Sequence, residues 1–127
     1  MKAAGIDRYG DTVHVIDVPE PGRLEADEIL LKVKAAGVGN WDNIVRTGGW
    51  NVGIAPPMIL GVEAAGIALA VGSAARRASV GDALVTHPLP LRSQGTWAER
   101  VIVADSTIAG KPAWMSWPEV GRFRYRH

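Results

Sequence analysis

A mainly β fold follows from three features of the sequence. Apolar and polar residues alternate with a period of two more often than with the 3.6 of a helix, and 15 glycines and 8 prolines interrupt that alternation roughly every ten residues. Only one interior stretch, residues 40–47, switches to a helical pattern. Residues 2–8 and 12–18 predict two strands joined by Tyr9-Gly10-Asp11 in a hairpin-like turn, with Val13, Val15 and Asp17 alternating against His14, Ile16 and Val18. Pro19-Glu20-Pro21-Gly22 ends that pairing, because proline has no N–H for the ladder. The strongest strand covers residues 27–38, with Ile29, Leu31, Val33 and Ala35 on one face and Leu30, Lys32 and Lys34 on the other. Residues 40–47 predict a short helix, Asn40 at its N-cap, Asp42 and Asn43 in its first turn and Gly48-Gly49 at its end. Residues 62–72, 80–87 and 96–103 complete the strand set.

The end of the chain breaks this pattern. Ser116-Trp117-Pro118-Glu119 fits a capping box, in which the serine side chain and the glutamate three residues on satisfy each other's backbone N–H groups. A second helix is announced, yet only residues 120–127 follow, with Gly121 early and arginines alternating with aromatics rather than an apolar face at helical spacing.

Composition narrows the function classes. At 127 residues the chain is one domain's worth of sequence, and 47% apolar with 21% charged residues is ordinary globular usage. With no cysteine, disulfides, Cys-ligated zinc, iron–sulfur clusters and a thiol nucleophile are all excluded. The net charge is +1, and because Arg122, Arg124 and Arg126 lie in the last six residues, residues 1–121 carry a net −2. That balance argues against a nucleic-acid partner, and none is expected. The longest apolar run, residues 62–71, is far short of the roughly 20 a membrane helix needs, and residues 1–8 lack the apolar stretch of a secretory signal. No membrane partner is expected, and the expected compartment is the cytoplasm.

Eight segments carry a family resemblance in register. They are Lys2-Ala3-Ala4, Val18-Pro19-Glu20-Pro21, Glu28-Ile29-Leu30-Leu31-Lys32-Val33, Ala35-Ala36-Gly37-Val38, Leu60-Gly61-Val62-Glu63-Ala64-Ala65-Gly66, Val71-Gly72-Ser73, Val80-Gly81-Asp82-Ala83-Leu84 and Gly95-Thr96-Trp97-Ala98-Glu99-Arg100-Val101. Together they resemble the N-terminal, GroES-like domain of the medium-chain dehydrogenase/reductase superfamily, which includes the alcohol dehydrogenases. The resemblance implies a GroES-like, partly open β-barrel with one or two short helices over residues 1–115. Residues 116–127 then read as an aborted junction helix and a basic tail outside the family pattern, with no Rossmann domain. An isolated domain, a truncated product with an out-of-frame tail and a stand-alone domain with a new role all fit that ending, the out-of-frame tail best.

The same resemblance addresses metal and cofactor. The positions at which the family's zinc enzymes place a cysteine and a histidine are Gly39 and Val62 here, and neither side chain binds a metal. His14, His87 and His127 are widely spaced and read as a strand surface, a loop and a terminus, so no metal site is expected. What remains is similar to the zinc-free quinone oxidoreductase branch, which implies NADPH in a full-length relative. Gly48-Gly49-Trp50-Asn51-Val52-Gly53 precedes no helical pattern, so this chain alone is expected to bind no cofactor. The implied function is the substrate domain of a zinc-independent NADPH-dependent quinone or enone oxidoreductase, inactive alone. The alternative is a non-catalytic binding or assembly module.

Residues 39–43 occupy the place of that branch's nicotinamide-facing turn, usually Asn-Pro-x-Asp, with the asparagine shifted to Asn40. Asn40 is either a polar group near the nicotinamide or a helix cap. Trp41 and Trp50 wall an aromatic pocket or fill core, and Arg46 attracts a carbonyl or anionic group or lies on a solvated helix face. Glu63 sits in an apolar run and must be paired or neutral, a structural ion pair being the favoured reading over acid/base work. Gly66 and Asp82 read as structural, Asp82 as turn chemistry beside Gly81. The expected partner is a missing or separately encoded nucleotide-binding domain, or a second copy through an exposed patch of Trp114, Met115 and Trp117.

Overall fold

A computed structural model describes residues 1–118. Glu119 and the tail at 120–127, and with them the capping-box partner and the out-of-frame reading, lie outside the described residues.

The elements run β1 (Lys2–Ile6), β2 (His14–Asp17), β3 (Glu28–Ala36), α1 (Asn40–Arg46), β4 (Met58–Ile59), β5 (Ala64–Val71), β6 (Ala83–Thr86), β7 (Arg100–Ala104) and β8 (Ile108–Gly110). They form a three-stranded sheet in the order β2-β1-β4 and a five-stranded sheet in the order β7-β3-β5-β6-β8. Residues 97–99 join the two: Ala4 N–H donates to Trp97 O (2.8 Å), and Val33 N–H donates to Glu99 O (2.9 Å). The sheets do not close on each other, which gives the partly open barrel expected from the sequence.

The predicted strands are all present but shorter, since alternation continues past the last ladder bond. β4 and β8 have only two and three residues, too few to show a period, and sequence reasoning missed both. In β3 the predicted faces hold: Ile29 and Leu31 are fully buried and Lys32 and Lys34 exposed, although register shifts against β5 interrupt the strand twice. Gly66 sits opposite Val33 in that pairing, and a Cβ on it would lie 2.0 Å from the Lys32 carbonyl oxygen. The close approach of β5 to β3 therefore requires glycine at 66.

Two larger cores result. Ile29, Leu31, Ala64, Ala68, Leu84, Val101, Val103 and Ile108 fill the five-stranded sheet. Ile6, Val45, Val52, Met58, Leu60, Val62 and Leu91 pack α1 onto the smaller sheet, with Trp50 and Trp97 at their margin.

Two expectations are corrected. Asn40 is the first helical residue rather than the N-cap, which is Gly39. Glycine has no capping side chain, so Asp42 supplies the oxygen from inside the first turn: its Oδ2 accepts the Gly39 N–H (2.8 Å), while its own N–H donates to Gly39 O (3.1 Å). Nor do Trp114, Met115 and Trp117 form one exposed patch. Met115 is 8% exposed and packs on Ala65, with Val85 and Trp117 around it, and the Lys111 ammonium lies 4.9 Å from the Trp117 ring centre. Both residues cover the chain's own β5 and β6, which removes their apolar surface from water, and only Trp114, 77% exposed, stays outside.

Candidate functional site

The predicted site residues gather around α1, except for the structural Gly66 in β5 and Asp82 in the turn before β6, where Asp82 Oδ2 accepts the Ser79 N–H (2.9 Å). Asn40 and Trp41 lie exposed on the first turn, Trp41 with 53% of its surface in solvent. Trp50 follows α1 and turns inward onto the core beneath the helix. The two indoles meet edge to face, centroids 5.8 Å apart at 66°, the geometry favoured by the opposed charge of ring edge and ring face. One tryptophan is anchored and the other presents aromatic surface outward.

Arg46 is committed elsewhere. At the far end of α1 its guanidinium donates to Asn43 Oδ1 and, through Nη1, to the carbonyls of Gly10 (3.1 Å) and Asp11 (2.8 Å). It fastens the helix to the β1–β2 turn rather than facing the tryptophans.

Beneath the first turn lies a buried acid that sequence reasoning took only for a helix-start residue. Asp42 is 4% exposed, and its Oδ1 is buried without a hydrogen-bond partner among the described residues. Burial pushes its carboxyl up to about 6; the Gly39 N–H opposes the shift and the charge of Glu63 adds to it. The available signal was the i,i+3 spacing of Asp42 and Val45, the two buried residues of α1.

Glu63 anchors the neighbouring loop. Its side chain is buried with His87 Nδ1 at 3.5 Å from Oε1, so a histidine read as a loop residue stands beside this carboxylate. Its backbone carbonyl accepts from Thr96 Oγ1 (2.8 Å) and from Gly37 N–H (3.1 Å), and Trp97 Nε1 donates to Gly37 O (3.0 Å). The approach to α1 is thereby fixed by buried polar groups. Gly39 and Val62, at the positions of the family's metal ligands, are the helix cap and a fully packed core residue.

The described residues do not form the strand–turn–helix seat on which a Rossmann-type unit holds a dinucleotide. Every strand pairing among them is antiparallel, whereas a pyrophosphate seat is built from a parallel strand–turn–helix unit. α1 has only seven residues, and the glycines at 48, 49 and 53 follow it rather than introduce a helix.

The alcohol dehydrogenase GroES-like domain family model matches residues 25–113. An alcohol dehydrogenase of Moraxella sp. (strain TAE123) is 37% identical over 84 residues, 65% of this chain and 24% of that protein. The quinone oxidoreductase of Thermus thermophilus, also solved in complex with NADPH, superposes with a TM-score of 0.75 at 30% identity, covering 95% of this chain and 36% of that one. The quinone oxidoreductase of Coxiella burnetii gives 0.80 at 26% identity, covering 92% and 38%. This chain thus spans about a quarter of the curated relative and little more than a third of the two solved ones.

Proposed function

The chain belongs to the alcohol dehydrogenase GroES-like domain family, and from that premise we propose that it is the substrate-side domain of a zinc-independent, NADPH-dependent quinone or enone oxidoreductase, inactive without a nucleotide-binding unit. The observation that carries this reading is the pair formed by Trp41 on α1 and Trp50 after it, beside two positions, Gly39 and Val62, that offer no metal donor. A flat conjugated substrate suits an exposed indole, because stacking and burial act together there. Similarity to two quinone oxidoreductases, one of them solved with NADPH, supports the same substrate class and cofactor.

In this reading the cofactor supplies the hydride and is held by the nucleotide-binding unit, the partner the chain requires. The chain itself orients the substrate: Trp41 stacks on it, Trp50 keeps Trp41 in place, and the exposed amide of Asn40 on the same turn donates to a carbonyl oxygen. Trp114 is the exposed residue for the partner to cover. The cytoplasm, where NADPH is abundant, suits such a function.

A chimera in which this chain replaces the matched segment of the Thermus thermophilus enzyme tests the proposal. It should reduce p-benzoquinone with NADPH, and EDTA should not affect the rate, whereas the 127-residue chain alone should neither bind NADPH at micromolar concentration nor reduce quinone. A chimera that folds and binds NADPH yet leaves quinones and enones unreacted would overturn the oxidoreductase reading in favour of a binding or assembly module. Micromolar NADPH binding by the chain alone would overturn its dependence on a second unit.

A further inference from the structure

We propose that the end of the β1–β2 hairpin is a binding site for a first-row divalent transition cation, formed by Asp7, Asp11 and His14 and unrelated to the aromatic site on α1. The three residues stand on different parts of the hairpin: Asp7 directly after β1, Asp11 in the turn, and His14 at the start of β2, where it pairs with Gly5. The turn, with Gly10 at φ +85°, brings one donor atom from each to within 4.8 Å of the other two. Among the described residues no other trio of histidine, aspartate and glutamate side chains converges in this way.

The donors are arranged for coordination. His14 Nδ1 lies 3.2 Å from the Thr12 carbonyl oxygen. A carbonyl can only accept, so that hydrogen bond places the ring proton on Nδ1 and leaves the lone pair on Nε2, 3.6 Å from Asp7 Oδ2. A backbone carbonyl orienting a histidine through its second nitrogen is the usual outer support of a metal-bound imidazole. Two donors sharing one cation at ~2.0–2.1 Å lie about 3.0–3.4 Å apart; Asp7 Oδ2 and His14 Nε2 are already near that separation, while Asp11, whose Oδ2 lies 4.0 Å from Nδ1, has further to move.

Asp11 is also held in place. Its Oδ2 accepts the Asp7 N–H (3.2 Å) and its Oδ1 the Thr12 N–H (3.0 Å). Two carboxylate oxygens and one imidazole nitrogen suit Zn²⁺ and its first-row neighbours, with water completing the shell on the exposed side.

Binding here would clip both sides of the turn together. Arg46 ties the carbonyls of Gly10 and Asp11 to α1, so the clip also braces the helix. From the sequence His14 looks isolated because its fellow histidines are remote; its co-ligands are carboxylates three and seven positions earlier.

Calorimetric titration of the full chain with Zn²⁺ at neutral pH, with Co²⁺ as the visible-absorption probe, tests the site. The expected result is one equivalent bound with micromolar affinity and a raised thermal midpoint. Affinity should fall at least tenfold in His14→Gln and in Asp11→Asn, and stay unchanged in His127→Gln. Because the ligands are at the surface, circular dichroism should show both site variants folded. No binding below millimolar Zn²⁺ would overturn the proposal and leave Asp7, Asp11 and His14 as a plain ion-pair cluster. So would wild-type affinity retained in His14→Gln.

Discussion

The five-stranded sheet and the region around α1 are built on opposite terms. In the sheet, Ile29, Leu31, Leu84, Val101 and Val103 are buried against one another in a wholly apolar cluster. Around α1, Asp42 and Glu63 are buried nearly as deeply, one Asp42 oxygen lacks a partner among the described residues, and Trp41 is left half in water. In the first region the buried polar groups are paired, Glu28 with Arg92 and Thr86 with the Thr107 carbonyl, whereas the second retains an Asp42 carboxyl that weakens the fold where it stands. That difference separates scaffold from site without appeal to any relative.

The largest expected effect lies on the scaffold side. Leu31→Ala removes a fully buried side chain at the centre of the large cluster and should destabilise the chain by about 3–4 kcal/mol in urea unfolding. A loss below about 1 kcal/mol would mean that the sheet is not the close-packed half of the molecule.

Asp42→Asn sharpens the comparison from the other side, because it should stabilise. The ordinary carboxyl pKa of 3.8 applies to the unfolded chain and about 6 to the folded one, so between those values the folded state binds more protons. Stability due to this group is therefore greatest at acid pH, falls as pH rises through that window, and reaches its full penalty above it. Asparagine still accepts the Gly39 N–H but carries no charge, so at neutral pH the variant should gain on the order of 2 kcal/mol. Thermal midpoints of both proteins across that range check the sign: the two curves should converge toward low pH and separate toward neutral. A variant less stable than wild type at neutral pH would mean that the aspartate is a needed partner rather than a strained one.

How much was legible follows the same division. The sheet could be read strand by strand because β3 alternates cleanly, Ile29 and Leu31 against Lys32 and Lys34, and burial on one face forces that period. β4 escaped because two residues of ladder have no period to detect. Asn40, Trp41 and Trp50 were legible as residues of one neighbourhood, but their individual roles were not. Asn40 was given the cap because asparagine caps well locally, whereas Asp42 does that work from a buried position that only tertiary packing creates. Arg46 and the Glu63–His87 pair were illegible for the related reason that their partners lie 35 and 24 positions away in sequence. Met115 was misjudged because its cover is the chain's own β5.

The smallest stability effect should come from Trp41, and its smallness is the point. An exposed indole touching one other ring edge-on contributes roughly 0.5–1 kcal/mol, so Trp41→Ala should leave unfolding almost unchanged, in contrast to Leu31→Ala. In the chimera that tests function, the same substitution should raise the KM for benzoquinone several-fold while NADPH binding is retained. Trp41→Phe, which keeps a ring, should recover most of the loss. A Trp41→Ala variant with unaltered KM would show that the outward indole is idle surface, and the asymmetry between scaffold and site would then rest on the buried acids alone. A variant that unfolds would move Trp41 to the scaffold side of the comparison, because a residue half in water matters that much only when it closes a core.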